Sequence, residues 1–344
     1  MKRPGLKDVA ARSGVSVSSV SMILNNRGEH YSTETISKVQ AAVQELAYRP
    51  NAFARSVKQG RYGTIALVMS PEYHRSTLPS GVLKGISESL MAQNLHLAVA
   101  YLPDQQLTSP ETMPRLLREW SCDGMLLNYH AHVPTQLEEL VERHRLPVVW
   151  VNTKRENDCV YPDDFGAGVR ATEALIAAGH RRIAYVDSMY HRAQLFDVLH
   201  FSKPDRLGGY REAMRKAGLS PLCILPEDVL NAERDVQTVL RGPGSFTAAI
   251  GYAMQDIDVV AMSVARAGLT VPDDVSLVTF SGEFGFLGGL AMTLLVVPEQ
   301  QVGGAAVEML LEKMRAPKRR LAPRIVAFEF EAGKSLTRVR EGAS

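Results

Sequence analysis

Cysteine is scarce in this sequence: Cys122, Cys159 and Cys223 stand far apart in a chain of 344 residues. So odd and scattered a set gives neither a disulfide framework nor a metal-ligand spacing, and points to a reducing compartment. Long apolar runs are missing too, and none approaches the ~20 residues that cross a bilayer. The start, "MKRPGLKDVAARSG", has basic residues with no apolar stretch or cleavage site behind them. No secretory signal is read there, and a cytoplasmic protein with no membrane partner is expected. Catalytic signatures are equally absent. The glycines of "SGEFGFLGG" form neither a dinucleotide fingerprint nor a phosphate loop, and no G-x-S-x-G elbow occurs. "YHAH" sets His130 and His132 on one side of an extended segment, but no third ligand follows at a matching spacing. Neither an enzyme, a metal site nor a cofactor is expected. No low-complexity tract or solenoid-period repeat is present.

What is there is a chain long enough for two or three domains, with 45% hydrophobic and 22% charged residues, an ordinary soluble composition. The net charge of +2 is unevenly placed. Up to Gly60 nine basic residues face four acidic ones, giving +5, which leaves −3 for the rest. A basic terminus on a mildly acidic body suits a polyanion-binding head on a soluble carrier, although a merely solvated basic surface would look the same.

Three short helices can be read in that basic part. Leu6, Val9 and Ala10 share one face of the first, which stops at Ser13-Gly14. Ser16 can cap the second, and Val20, Ile23 and Leu24 turn it inward. Ser32 can cap the third, in which Ile36, Val39, Val43 and Leu46 face in, with Tyr31 and Ile36 at the positions of a hydrophobic staple. The first two, joined across a tight glycine turn, form a helix-turn-helix. Val17, Ser18, Ser21 and Met22 then face out. Hydroxyls can bond phosphates or base edges, and valine can meet a thymine methyl in a major groove. A small three-helix bundle without nucleic acid is the blander reading.

Here "LKDVAARSGVSVSSVSMILNN" and "YSTETISKVQAAVQELAYRPNAFARSVKQGRYGTIALV" resemble the head of the LacI/GalR family of bacterial transcription regulators, without a gap through Leu6–Val68. The resemblance implies that Val17, Ser18 and Met22 read bases, while Ser16, Ser21 and Asn25 contact phosphates. Many members carry arginine where this chain has Met22. Methionine cannot make the bidentate bond to guanine O6 and N7, worth ~1–3 kcal/mol of discrimination. An operator lacking that guanine is expected, read more through methyl contacts and DNA shape.

"RPNAFARSVKQG" follows. Pro50 stops the third helix and Asn51 can cap a short one, Ala52 to Lys58, too short to hold alone in water. A plain linker is the alternative. The resemblance implies that two such hinge helices pair across a homodimer and enter the minor groove, where a leucine wedges between base steps. Val57 occupies that position, shorter and stiffer, so a shallower wedge is expected; Arg55 and Lys58 are available to the groove or its phosphates.

From Thr64 short apolar strands alternate with amphipathic helices. The strands are Thr64–Met69, His96–Leu102, Gly124–Asn128, Pro147–Asn152, Arg182–Val186, Ala248–Tyr252 and Ser276–Phe280; helices include Gly81–Gln93, Gly166–Ala178, Asp205–Ala217 and Asp256–Ala267. Repeated βα units imply parallel sheets, in too great a number for one sheet. "PDDFGAGVRATEALIAAGHRRIAYV", "RLGGYREAMRKAGL", "AGLTVPDDVSLVTF" and "MTLLVVPEQQVGGAAVEMLL" are similar to signposts of the family's core. The fold class expected is thus an all-α helix-turn-helix head plus an α/β core of two lobes with parallel sheets, like periplasmic sugar-binding proteins. The boundaries are 1–48 for the head, 49–60 for the hinge and 61–344 for the core. Within the core one lobe takes about 61–163 and 298–321, the other about 164–297 and 322–340.

The resemblance puts a small-molecule effector in the cleft, a carbohydrate or a related compound. Arg206 matches an arginine that clasps effector hydroxyls or a carboxylate, and Asp163 an acidic position at the first crossing between lobes. Two departures stand out: Ala253 and Met254 replace the usual Asn-Asp pair, and Ser281 replaces an aspartate. Losing both carboxylates puts a typical monosaccharide in doubt. Tyr73, Tyr129, Tyr190, Phe165 and Phe284 follow strands and could stack on a ring or merely form the rim. The segment Asp187 to Pro204 is longer than usual and rich in aromatics and histidine, fit for a lid or an inert loop. The function expected is an operator-binding homodimeric repressor, with double-stranded operator DNA and a cleft effector as partners. A regulator with an effectorless core, a solute-binding protein and a sugar-processing enzyme are the alternatives.

Overall fold

The computed structural model describes residues 4–25, 29–49, 61–72, 75–102, 121–144, 146–195 and 199–339. The chain divides into two compact units, Met1–Gly63 and Thr64–Ser344.

The first unit holds α1 (Leu6–Ser13), α2 (Val17–Leu24) and α3 (Thr33–Glu45). Gly14 closes α1 in the left-handed region at φ 68°, which glycine adopts without a side-chain clash. The Ser16 and Ser32 hydroxyls accept from the N–H groups of Ser19 and Thr35 at 3.1 and 3.3 Å, so both expected caps form. The core is small: Val9, Ala10, Val20, Ile23, Val39, Ala42 and Tyr48 are buried, with Leu6, Leu24, Tyr31, Ile36, Val43 and Leu46 packed on them. Burying an aliphatic side chain yields only about 1.5–3 kcal/mol, so this unit has little stability to spare.

The second unit is two-lobed. In the first lobe the sheet order is β13-β5-β4-β3-β1-β2, with β1 (Thr64–Met69), β2 (His96–Tyr101), β3 (Gly124–Asn128), β4 (Val148–Val151), β5 (Cys159–Pro162) and β13 (Arg324–Val326). All neighbours run parallel. Strand alternation sends Ile65, Leu67 and Met69 to one face, against the helices α4 (Ser80–Ala92) and α11 (Glu299–Arg315). Ala66 and Val68 go to the other, against α5 (Thr135–His144).

The second lobe repeats the scheme in the order β14-β12-β9-β8-β6-β7, with β6 (Ile183–Val186), β7 (Leu222–Ile224), β8 (Ala248–Gly251), β9 (Ser276–Ser281), β12 (Thr293–Val296) and β14 (Glu329–Glu331). Its last strand is antiparallel to β12, so this sheet is mixed at one edge. Helices α6 (Asp164–Ala177) and α8 (Ser202–Lys216) cover one face. Helices α9 (Ala232–Arg241) and α10 (Met254–Arg266) cover the other. A short hairpin, β10 (Phe286–Leu287) with β11 (Leu290–Ala291), precedes β12, and α7 (Tyr190–Leu195) follows β6.

The chain crosses between lobes three times: after β5, after β12 and between β13 and β14. The last crossing corrects the sequence boundary at 321, because Arg324–Val326 pairs with Cys159–Pro162 and so belongs to the first lobe. Three residues are too few to reveal a strand by alternation. Helix α8 also begins three residues before the expected Asp205. Pro204 falls in its first turn, where a missing N–H costs nothing.

Candidate nucleic-acid interface and ligand cleft

On α2 the division of faces is sharp. Val20 is fully buried, whereas Val17 and Met22 are 41% and 40% exposed. Ser16 and Ser18 are exposed with them, and Ser21 is half-buried. The hydroxyls of Ser16, Ser18 and Ser19 bond one another, at 2.9 Å from Ser16 to Ser18 and 2.8 Å to Ser19. Asn25 ends the helix, its amide donating to the Ser21 carbonyl at 2.6 Å. The outer surface is therefore apolar at Val17 and Met22 and lined by neutral hydroxyls, with no side-chain charge between Ser16 and Asn25. Arg55, Val57 and Lys58 lie outside the described residues.

The second candidate lies where strands of the two lobes end, which is where sheets of this kind take ligands. Asp187 follows β6, Tyr252 follows β8, Ser281 closes β9, Tyr129 and His130 follow β3, and Asn152 follows β4. Helix α8 supplies the cations. It packs closely on α6 because Gly168 and Gly209 bear no side chain: a Cβ at either would sit 2.3 and 2.2 Å from a carbonyl oxygen of the other helix. That approach brings Arg206 to Asp164.

Arg206 donates from Nε to Asp164 Oδ1 at 2.6 Å and from Nη1 to the Tyr252 carbonyl at 3.0 Å, with its guanidinium carbon 4.4 Å from the Phe280 ring centroid. Burial pushes the Asp164 carboxyl up and the nearby guanidinium opposes it; the net shift is upward. Lys203 donates to both oxygens of Asp187, at 2.7 and 2.8 Å, and stands 3.8 Å over the Tyr252 ring. Burial lowers its ammonium pKa against the pull of Asp187. Asp256, fully buried, accepts from the N–H and hydroxyl of Ser188 at 2.8 and 2.6 Å and from the Ala253 N–H at 3.0 Å. It caps α10 and ties the segment after β6 to it. The cleft thus holds its cations in internal pairs.

The sequence-derived residues fall unevenly. Arg206 is central. Asp163 is a half-buried helix cap whose carboxylate accepts from the Gly166 N–H at 3.0 Å; its neighbour Asp164 is the one that meets Arg206. Met254 begins α10 and packs on the apolar cluster of that face, and Ser281 accepts from the Glu283 N–H at 3.3 Å. Tyr129 is no rim aromatic, being fully buried with its hydroxyl donating to the Leu102 carbonyl at 2.9 Å. Phe165 and Phe284 are exposed, and Tyr190 packs on the α6–α8 side of its lobe. Tyr73 lies outside the described residues. His130 and His132 do not extend a strand, for His132 takes a left-handed φ of 48°. Sequence reading missed Asp164, Asp187, Ser202, Lys203, Tyr252 and Asp256. The signal for Asp187 and Tyr252 was available, since each immediately follows a strand.

Among the described residues no helix is long and apolar enough to cross a membrane. Residues 5–51 match bacterial regulatory proteins of the lacI family, and residues 172–336 match the periplasmic binding protein-like domain. The chain is 27% identical over 336 residues to the HTH-type transcriptional regulator GntR of Escherichia coli K12, covering 96% of this chain and 97% of that one. It is also 27% identical over 334 residues to the ribose operon repressor of the same organism, covering 91% and 93%. Among solved structures it resembles the lac repressor dimer bound to operator and the anti-inducer ONPF. That likeness has a TM-score of 0.74 at 19% identity, covering 98% of this chain and all, 100%, of the other.

Proposed function

Because the chain belongs to the lacI family of bacterial regulatory proteins and is a DNA-binding transcriptional regulator with an effector-binding core, not an enzyme, we propose that it is a cytoplasmic homodimeric repressor that reads its operator through α2. The observation that carries this is the outer face of that helix, where Val17 and Met22 are exposed beside Ser16 and Ser18 while Val20 and Ile23 anchor the opposite side. Val17, Ser18 and Met22 are the base readers; Ser16, Ser21 and Asn25 hold phosphates. Arg55, Val57 and Lys58 serve the hinge contact with the minor groove.

The effector is a small carbohydrate or related molecule bound between the lobes by Tyr73, Asp163, Arg206, Met254 and Ser281, with Asp164 and Tyr252 beside them. Asp164 Oδ2 is buried without a hydrogen-bond partner among the described residues, an acceptor suited to a ligand hydroxyl. Arg206 and Lys203 are already neutralised by carboxylates, which favours a neutral ligand over an acidic one. The effectorless reading is not favoured: similar chains include the ribose operon repressor. Effector acts by binding the two lobe arrangements unequally, since equal affinity would shift nothing.

Selection of bound duplexes from a random pool by the full-length protein tests the reading. A near-palindrome with half-sites set by dimer symmetry is expected, bound less tightly as salt rises. No enrichment over bulk competitor, with or without small molecules, overturns it. A thermal-shift screen over sugars, sugar acids and nucleobases then finds the effector.

A further inference from the structure

Two features left without a role in the sequence, "YHAH" and the long segment ending at Pro204, meet across the cleft. The His200 ring of the second lobe stands edge-on to His130 of the first, with centroids 5.0 Å apart and planes at 86°. His200 Nε2 donates to the Asn152 carbonyl at 3.2 Å. Its Nδ1 therefore accepts from the Ser202 hydroxyl at 2.8 Å, and Ser202 in turn accepts from the Tyr252 hydroxyl at 2.8 Å. Phe201 packs into the first lobe's apolar cluster, 5.6 Å from the Tyr161 ring. Asp205 completes the contact with an ion pair to Lys154 at 2.7 Å. A hydrogen bond, an aromatic insertion and an ion pair thus tie one end of α8 to the opposite lobe.

We propose that His200, Phe201 and Asp205 form a proton-sensitive clasp that holds the two lobes together without a ligand and releases them in acid. What the clasp regulates rests on the effector reading above; its closure does not.

The chemistry follows from the tautomer. Nδ1 is occupied as an acceptor, so a proton there must reverse the bonds along Ser202 and Tyr252, and it places a positive charge in the seam between the lobes. The charge would face His130 from the loop after β3, Lys203 and Arg206 from α8, which begins two residues later, and Tyr252 by way of Ser202. Lys203 and Arg206 are held by Asp187 and Asp164, and Lys154 by Asp205, so each of these three carboxylates already has a cation beside it. Burial, then His130, and then Arg206 and Lys203 lower the His200 pKa to about 3, against the raising effect of the Asn152 carbonyl. Once the lobes part, the imidazole returns toward ~6.5. Protons therefore bind the open form better. The clasp is at full strength above pH ~6.5 and weakens as pH falls. From pH 7.5 to 5.5 the open-to-closed ratio rises about tenfold.

The test is the distance between spin labels at Gln136→Cys and Gln255→Cys, one on each lobe, in full-length protein with its three native cysteines replaced by alanine. At pH 7.5 one short distance is expected, and at pH 5.5 a longer one grows in. His200→Gln keeps an N–H for Asn152 but cannot titrate, so its acid response vanishes. Phe201→Ala shifts the distances outward at both pH values, and His130→Gln retains the acid response. A wild-type distance indifferent to pH overturns the proposal, as does an acid response that survives in His200→Gln or disappears only in His130→Gln. Failure of all small molecules to alter DNA binding would remove the effector reading and leave these distances as they are.

Discussion

Arg206 and Asp164 form a salt bridge of 2.6 Å with side chains only 9% and 1% exposed. Two helices brought together by glycine contacts thus deliver opposite charges to one buried point of the cleft. Removing one charge leaves the other without its partner, which costs roughly 3–5 kcal/mol. Asp164→Asn is therefore expected to lower the melting transition of the body sharply. The pair Asp164→Leu with Arg206→Met should cost less than either charge removal alone, because no uncompensated ion remains. Calorimetry on wild type, Asp164→Asn, Arg206→Met and the double variant reads that order, and a mild Asp164→Asn would show that the bridge is not desolvated.

His180 offers a pH test away from the cleft. It is 3% exposed, with Nε2 donating to the Thr337 carbonyl at 3.0 Å and Nδ1 accepting from the Thr247 hydroxyl at 2.9 Å. Burial lowers its pKa, so the unfolded chain binds the proton more tightly. Its contribution is fully present above pH ~6.5 and is lost as pH falls toward the folded value, by up to about 1.4 kcal/mol per pH unit. His200 adds a loss of the same sign. The stability difference between wild type and His180→Gln, followed by denaturant unfolding from pH 7.5 to 5, isolates the His180 part. It should shrink on acidification; a constant difference refutes the assignment.

The strands of the body were legible because β1, β3, β4, β6, β8 and β9 carry apolar runs buried on both faces. Others were not. "CVYP" in β5 ends in proline, and β13 and β14 are three residues long, so neither composition nor period announces them. In the cleft, Arg206 was readable, but its partner was not. Asp163 and Asp164 are adjacent carboxylates, and only the phase of α6 decides that one caps while the other is buried. Asp256 was hidden differently: its capped residue is Ala253, so the usual hydroxyl-bearing signature is missing. The meeting of His130 with His200 has no local signal at all, since it depends on the closure of two separate lobes.

In the head, Ser16 combines two roles that one pair of substitutions separates. Its hydroxyl caps α2, and it is proposed to hold a phosphate. Ser16→Ala should cost about 1 kcal/mol of head stability through the lost cap, with DNA affinity falling too. Ser16→Asp restores a capping oxygen and places a favourable charge at the helix N-terminus, yet it sets a carboxylate against the phosphate. Folding should recover while operator binding falls further than in Ser16→Ala. Circular dichroism of the head transition and a binding titration on one operator read the two effects. Recovery of both would leave Ser16 as a cap alone.

Met22 carries the sharpest expectation about sequence choice. It is 40% exposed on the outer side of α2 and offers only apolar contact. Wild-type selection should return half-sites without a required guanine at the base step facing residue 22. Met22→Arg adds five N–H donors at the same helical position, two of which can reach guanine O6 and N7. The variant's selected half-site should then acquire guanine there, with discrimination of about 1–3 kcal/mol, or roughly 5- to 150-fold in relative affinity. Because arginine also attracts phosphates, overall affinity will rise and become more salt-dependent, so the readout must be relative affinity between operators differing at that one step, measured at fixed salt. A guanine preference already present in the wild type and abolished in Met22→Ala would show that the groove is read by something other than the apolar face described above.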